Sequence, residues 1–577
     1  MSWIFGAGDP SGIDERRVIE AAQAALPGQT PILELTHRGD AVMGGYDDDI
    51  GPGILRVGRH LMASDARVDA VGDVDAGSVE GAHATALVWE QIRTRGMLGL
   101  DDLAADFTFS WYDEGRGRQV LARDATANRP LYWMSDGDRW AFASSARFLL
   151  AYQEGTSGID PKVCARFLAG IDFPPERTGL RGVHRVLGGH WLVLPGGGPT
   201  GSRWFHPEWD PVDRAIDEES VGRVRDAIRV SVRDRARAGR VGLWLSGGRD
   251  SGSIAEALRH EGISADCYTF TFDSEICTSE DDQARTLAVA GGHRWFGLRQ
   301  SPVVRDEDLA WYLGRTSIPL GMPYVTSFRE SHEEVMRRGT TVSMEGFGGE
   351  LFVANPVITG GLVRSMHIGK AIRSARAFRN NWVYGYGAQA KTAFRAGAPR
   401  WLLDEREGMR PLPPWARSGL RGRLAPGGEP RTARDFRPWF LLWEGRNGAR
   451  DPADSLTFPD GIRNTYPFYD RRVIRAALRL PVEALIPHPE PKWILRDAIL
   501  GSWAETRVKA TQVEWFRAVA RGAWETHAGT FSPRGRLAQA GLVDPAGMTP
   551  PYEPAWEIQS SNLVFTEAAI RALDRLS

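Results

Sequence analysis

The stretch that most constrains this chain is Val241-Gly-Leu-Trp-Leu-Ser-Gly-Gly-Arg-Asp-Ser-Gly-Ser253. The apolar run Val241 to Leu245 predicts a short buried strand, and Ser246-Gly247-Gly248 breaks it. Ile254, Ala255, Ala257 and Leu258 then predict a helix over 251–260. A strand, a glycine turn and a helix start together make an anion site. Glycine lets backbone pass close to a ligand, and the free N–H groups of a helix start or a tight turn favour negative charge. Ser246 and Ser251 add hydroxyls, and Asp250 adds a carboxylate suited to holding a divalent cation against phosphate oxygens.

Around this stretch the pattern alternates. A helix with Val221, Val224, Ala227, Ile228 and Val232 on one face precedes it. After it come a strand at 266–272, a helix at 279–290, a helix at Ser327–Arg338 and a strand at 340–344. Such alternation predicts a parallel sheet with right-handed crossovers. Beyond about 362 the chain reads as mainly helical, apart from a Pro-, Gly- and Arg-rich excursion over Gly397–Asp435 that includes Leu412-Pro-Pro-Trp415.

Residues 1 to 205 read differently. Short alternating segments such as Phe107–Tyr112, Gln119–Ala122, Leu131–Trp133, Trp140–Ser144 and Gly189–Leu194 predict strands with hairpin-like spacing, interrupted by a helix near Ala82–Thr94. They predict layered antiparallel sheets with helices outside. Pro195-Gly-Gly-Gly-Pro-Thr-Gly-Ser202 punctuates the end of this region. The expected class is therefore α/β with two domains, over 1–205 and 213–577, as 577 residues are too many for one core.

Composition excludes several classes. A formal net charge of −2 gives no bulk electrostatic case for nucleic acid or an anionic membrane. Cys164, Cys267 and Cys277 form no CxxC pair, so neither a disulfide scaffold nor a zinc knuckle is expected, and a reducing cytoplasm fits. No stretch of about 18 apolar residues predicts a membrane span, and the first ten residues lack the basic and apolar regions of a signal peptide.

Two further blocks carry chemistry. Glu345-Gly-Phe-Gly-Gly-Glu-Leu-Phe352 follows the strand at 340–344 and offers Glu350 as a second acid at the carboxyl end of the sheet. Further on stand Tyr466-Pro-Phe-Tyr-Asp-Arg-Arg-Val473 and Pro491-Lys-Trp-Ile-Leu-Arg496, in which Lys492 opens a helix against the sense of the dipole and so points to an anionic ligand.

The Ser-Gly-Gly-x-Asp-Ser string resembles the pyrophosphate loop of ATP pyrophosphatases. With the other two blocks, in this order, it resembles the synthetase domain of the asparagine synthetase family, which includes β-lactam synthetases and lasso-peptide cyclases. The resemblance implies an adenine nucleotide α-hydrolase-like fold. It implies that Ser246, Gly247, Gly248, Asp250 and Ser251 hold the pyrophosphate of ATP, that Asp250 and Glu350 hold Mg²⁺, and that Leu245, Phe272 and Gly346 cup the adenosine. It gives Lys492 the role of stabilising charge around the acyl-adenylate. Glu350 stands where the family usually has Asp.

The N-terminal region resembles the family's glutaminase domain, an N-terminal-nucleophile fold. Arg123-Asp124 through Arg129-Pro-Leu-Tyr132 matches its strand-turn-strand signature, and His37-Arg-Gly-Asp40 resembles its arginine-containing substrate loop. Yet Ser2 stands where the nucleophilic Cys would, and Val71-Gly-Asp73 replaces the Asn-Gly-Glu oxyanion segment. A serine without a base does not replace a thiolate, and lost oxyanion donors cost orders of magnitude in rate. The domain is expected to be degenerate and to make no ammonia from glutamine.

An amine carried by the substrate itself is then expected. Phe347 stands where β-lactam synthetases carry a Tyr and asparagine synthetase a Glu, and it cannot accept a proton. The Gly-x-Gly-Gly-acid-Leu form and the Pro-Pro-Trp segment resemble lasso-peptide cyclases. Arg364, Arg373, Arg376, Arg379, Arg395 and Arg400 could line a peptide cavity or form a solvated basic face. The expectation is an ATP-dependent ligase that adenylates an Asp or Glu side chain of a ribosomal peptide and closes a macrolactam on its N-terminal amine. The resemblance implies a leader-binding protein and a leader peptidase as partners. The alternatives are a β-lactam synthetase-like or asparagine synthetase-like small-molecule ligase, or a non-catalytic scaffold.

Overall fold

In the computed structural model, the described residues are 3–25, 34–46, 53–153, 158–169, 174–196, 201–208, 213, 216–272, 281–301, 303–316, 318, 325–353, 357–364, 366–378, 412–417, 451–486, 492–501 and short stretches between 517 and 571. Ser2, Cys277, most of the Gly397–Asp435 excursion, and Arg379, Arg395 and Arg400 lie outside them.

The N-terminal region is built from two antiparallel sheets. One has six strands, with Trp3–Gly8 between Ala41–Tyr46 and Arg139–Ala143. The other has seven, centred on the long strands His60–Val71 and Leu103–Asp113. Alternation puts Ile4, Met43, Leu61, Leu121 and Phe142 between the sheets as one buried layer. Helices cover the outer faces: Glu15–Ala25 and Ala146–Tyr152 lie on the first sheet, and Gly81–Arg95 on the second. The expected layered arrangement is what forms.

Among its described residues the C-terminal region holds one five-stranded sheet, wholly parallel. Its spatial order is Arg294–Arg299, Asp266–Thr271, Val241–Trp244, Val342–Met344, Arg463–Thr465. The order reverses between Val241–Trp244 and Val342–Met344. At such a switch point the loops diverge and leave a crevice at the carboxyl edge. The helix Glu218–Ala236 starts at a capping box, in which Asp217 accepts from Ser220 N and Ser220 Oγ accepts from Asp217 N. It buries Val221, Val224, Ile228 and Val232 as the periodicity predicts, with Ala227 only half-buried. The core around it continues from the helix Gly81–Arg95 into the parallel sheet, so both regions share one apolar interior.

Trp415 of the Pro-Pro-Trp segment is fully buried against Cys164, Ala165 and Leu168 of the helix Pro161–Leu168. Of the arginines proposed to line a cavity, Arg373 and Arg376 are exposed on the helix Ile368–Phe378. Among the described residues no helix is long and apolar enough to cross a membrane.

Candidate active site

The three sequence blocks meet because they end, or follow, three adjacent parallel strands. Leu245 continues the pairing of its strand, with its N–H donating to Tyr268 O at 2.8 Å. Gly247 then turns at φ +73°, a conformation in which glycine carries no steric penalty. Its carbonyl accepts from Gln283 Nε2 at 2.7 Å, which holds the turn from the neighbouring helix Asp281–Ala290. Ser251 Oγ accepts from Ser246 N at 3.2 Å. The helix begins at Arg249, two residues before the expected start, and Gly248 leaves it with no side-chain cap. Its first N–H groups are thus open to an anion. Ser246 is exposed at the mouth and Ser251 buried below it.

The second loop interlocks with the first through its glycines. A Cβ on Gly349 would lie 2.2 Å from Asp250 Cγ, and one on Gly346 would lie 3.0 Å from Ser251 N. Only hydrogen at these positions allows Asp250 to rest against the second loop. Gly348, at φ +94°, leans the other way; a Cβ there would lie 2.8 Å from Phe468 Cβ. Phe347, 51% exposed, stands edge-on to Tyr466 at 6.1 Å, so a bare aromatic surface flanks the loop.

Lys492 closes the cluster. Its ammonium is hydrogen-bonded to Asp250 Oδ2 and lies 3.5 Å from Glu350 Oε1. The sequence places Lys492 as the first residue of a helix. The structure puts it just before the short turn Trp493–Leu495, in the left-handed region at φ +57°. A non-glycine residue there stores strain of about 1–3 kcal/mol, and such outliers cluster at functional sites. Burial disfavours the Lys492 cation, but Asp250 and Glu350 outweigh it and hold its pKa above the ordinary lysine value. Burial, with the Glu350 carboxylate, presses Asp250 towards its neutral form against the pull of Lys492. Two carboxylates thus face one ammonium.

This donor set fits a divalent cation. Among the described residues Asp250 Oδ1 is buried with no hydrogen-bond partner, and the Glu350 side chain is 45% exposed. Mg²⁺ commonly takes one or two protein carboxylates and completes its shell with phosphate and water oxygens. Among the described residues no group of three or more His, Cys, Asp or Glu side chains could hold a metal alone.

Leu245 (buried), Phe272 (half-buried) and Gly346 follow the carboxyl ends of three neighbouring strands. Arg249 is half-buried, and burial, with the nearby Arg496 cation, lowers its pKa. Sequence reasoning missed Gln283, whose role as a prop for Gly247 carries no local signature. The sequence assigns no individual role to Asp470 or Arg472 of the Tyr466–Val473 block. Both turn away from the crevice into a buried ion network with Asp234 and Arg235.

A family model described as asparagine synthase matches residues 223–549, more than half of the chain, and a glutamine amidotransferase domain matches residues 77–205. The chain belongs to the asparagine synthase family. Amidase chyE of Penicillium rubens is 28% identical over 256 residues, covering 39% of this chain and 36% of that protein. Asparagine synthetase (glutamine-hydrolyzing) 1 of Bacillus subtilis is 29% identical over 235 residues, covering 40% of this chain and 36% of that protein. The chain thus spans 36% of the length of each of these relatives. Among solved structures, that of the allosteric regulatory enzyme of purine biosynthesis is 12% identical with a TM-score of 0.26, covering 52% of this chain and 82% of that one.

Proposed function

We propose that this protein is a cytoplasmic, ATP-dependent, AMP-forming ligase that closes a macrolactam in a ribosomal peptide, as lasso-peptide cyclases do. The observation that carries the ligase reading is the meeting of Asp250, Glu350 and Lys492 beside an uncapped helix start. In the proposed reaction an Asp or Glu side-chain carboxylate of the peptide attacks the α-phosphorus of ATP. The bond to the β-phosphate bridge breaks, giving acyl-AMP and pyrophosphate. The peptide's N-terminal amine then attacks the acyl carbon, AMP leaves, and the amine gives up a proton.

The Ser246–Ser251 loop and the N–H groups of Gly248 to Ser251 would bind the β- and γ-phosphates. Leu245, Phe272 and Gly346 would frame the adenosine. Lys492 would lie against the charge that grows on the acyl and phosphoryl oxygens, where a fixed cation needs no reorganisation. Asp250 and Glu350 would hold Mg²⁺, which when bound neutralises phosphate charge. Holding amine and acyl-adenylate in one cavity would convert the second step into an intramolecular one.

The peptide reading rests on Phe347, an exposed apolar side chain at the mouth where a proton acceptor would serve a small substrate. A degenerate glutaminase-like domain over 1–205, a ligase domain over 213–577, and a leader-binding protein and leader peptidase as partners belong to the same proposal. The second reading, a small-molecule amide ligase, is favoured by the similarity to a Bacillus subtilis asparagine synthetase. Incubation with ATP, Mg²⁺ and synthetic core peptides decides. AMP and a product lighter by one water support the cyclase. AMP formation only with a free amino acid and ammonia supports the second reading, and release of ADP overturns both.

A further inference from the structure

Beneath the Glu350 loop lies the turn Pro467–Tyr469, and this turn is fixed from the far side by the helix Glu218–Ala236. Ser231 Oγ donates to Pro467 O at 2.8 Å. One helical turn later, Arg235 Nη1 donates to Asp470 Oδ2 at 2.7 Å. Asp470 also caps the helix Arg471–Arg479, accepting from Arg472 N at 2.8 Å. On its other face the turn is the bed of the second loop: Phe468 fills the space beside Gly348 and meets Phe352 edge-on at 6.0 Å. Glu345 N donates to Thr465 O at 3.1 Å, so strand and loop move with the turn.

Arg235 does not stop there. Its Nη2 donates to Asp106 Oδ1 at 3.2 Å, and Asp69 Oδ2 lies 3.7 Å from its Nη1. Both aspartates sit on central strands of the second N-terminal sheet, where Arg67 Nη2 donates to Asp106 Oδ2 at 2.8 Å. Arg67, Asp69, Asp106, Arg235 and Asp470 are each no more than 2% exposed. Despite burial, the surrounding arginines hold Asp106 ionised, with a pKa of about 2, and hold Asp470 lower still. A buried ionic network is weak evidence for stability, because an apolar replacement often does as well. Its better-attested use is to specify one arrangement of the parts it joins.

We propose that the Arg235–Asp470 pair is a positioning linkage: through it the N-terminal sheets set where the 345–352 loop, and hence Glu350, stands against Asp250 and Lys492. This rests on the ligase reading only for its effect on rate. The N-terminal region then serves as a fixed support for the other half of the chain. Arg235 and Asp470 touch neither substrate nor nucleotide in this account. They act through the Pro467–Tyr469 turn.

Amide hydrogen exchange in full-length Asp470→Asn tests the linkage without relying on catalysis. The substitution keeps the shape and one acceptor oxygen but removes the charge. Exchange at 345–352 should rise about tenfold, a local opening, while exchange at 246–252 and in the N-terminal sheets stays within about twofold. Ser231→Ala, a milder change to the same turn, should raise it by a smaller factor at the same amides, and serves if Asp470→Asn does not fold. Asp75→Asn, at the exposed Arg237–Asp75 pair of the same interface, should change nothing. In AMP formation, kcat should fall about tenfold with the KM for ATP within about twofold. Unchanged exchange at 345–352 in both variants overturns the proposal, and so does a uniform rise over the whole chain, which would mean a merely structural role. Faster exchange at 345–352 in a protein whose wild type makes no AMP would keep the linkage and sink the ligase reading.

Discussion

The two regions that the family resemblance marks as reactive are built on different terms. In the N-terminal one, Arg38 lies 2.8 Å from Glu114 and donates to Gly58 O, while His37 lies 3.3 Å from Glu15. Its turns put glycine in the left-handed conformation, at Gly39 and Gly72, and Asp73 points into solvent. Charges there are matched by neighbours in the same layers, and the left-handed positions of these two turns fall on glycine. In the C-terminal one, Asp250, Glu350 and Lys492 come from three separate segments and leave negative charge over. Asp250 Oδ1 has no hydrogen-bond partner among the described residues, and Lys492 holds a conformation that lysine rarely adopts. Strain and an unmet buried acceptor are what a fold keeps only where surrounding structure enforces them. The difference is local to these loops, since the N-terminal region also holds a left-handed Ala127 and a buried Asp69 Oδ1 with no hydrogen-bond partner among the described residues; it accords with the proposal that the first loop serves as scaffold and the second receives a ligand.

The comparison can be broken most sharply at Asp250. Asp250→Ala removes the orphaned acceptor and the partner of Lys492, and AMP formation should fall by about 10³-fold or more. A variant that keeps more than a tenth of the rate would remove Asp250 from phosphate handling. Lys492→Ala should come next, with a loss of about 10²-fold to 10³-fold in kcat and a smaller change in the KM for ATP. Because Asp250 and Glu350 raise the Lys492 pKa, its charge is complete below the ordinary lysine range and is lost only as pH climbs through the raised value. Any alkaline fall in rate due to Lys492 should therefore lie above that range. Gly349→Ala ranks third. Its methyl would sit 2.2 Å from Asp250 Cγ, so the carboxylate or the loop must shift, and a loss of about tenfold to a hundredfold is expected with the fold intact by circular dichroism. A fully active Gly349→Ala would show that the contact between the two loops is slack.

How far these regions were legible depends on how local their signals are. The strand before Ser246, the glycine turn and the helix behind it lie within thirteen residues, and period and turn chemistry suffice to find them. Glu350 was legible for the same reason, as was the parallel sheet from its alternation. The antiparallel layers were legible as strands, with bounds extended by pairing: Phe107–Tyr112 grew to Leu103–Asp113 once His60–Val71 lay beside it. What escaped is whatever depends on distant partners. Asp470 and Arg472 follow Tyr466-Pro-Phe-Tyr, and nothing in that stretch announces their partners. Their charges answer Arg235 and Asp234, more than two hundred positions earlier. Lys492 was found, but its left-handed φ was not, since nothing in Pro-Lys-Trp announces it.

The smallest effect belongs to the N-terminal side, and it is the one that most sharpens the contrast. The Arg38–Glu114 pair is partly exposed, at 28% and 42%, so solvent screening leaves it worth only about 0–1 kcal/mol. Arg38→Ala should lower the melting temperature by no more than about 2 °C and leave AMP formation within about twofold. The sign of interest is in the nitrogen. If this region is scaffold, glutamine labelled in its amide nitrogen should deliver no label to the product, with or without Arg38, and added glutamine should not change the rate. Labelled product that appears with the wild type and disappears with Arg38→Ala would restore Arg38 as a substrate ligand. The internal pairing with Glu114 and the Gly58 carbonyl would then be a resting state of a working glutaminase, and the two regions would differ in ligand rather than in kind.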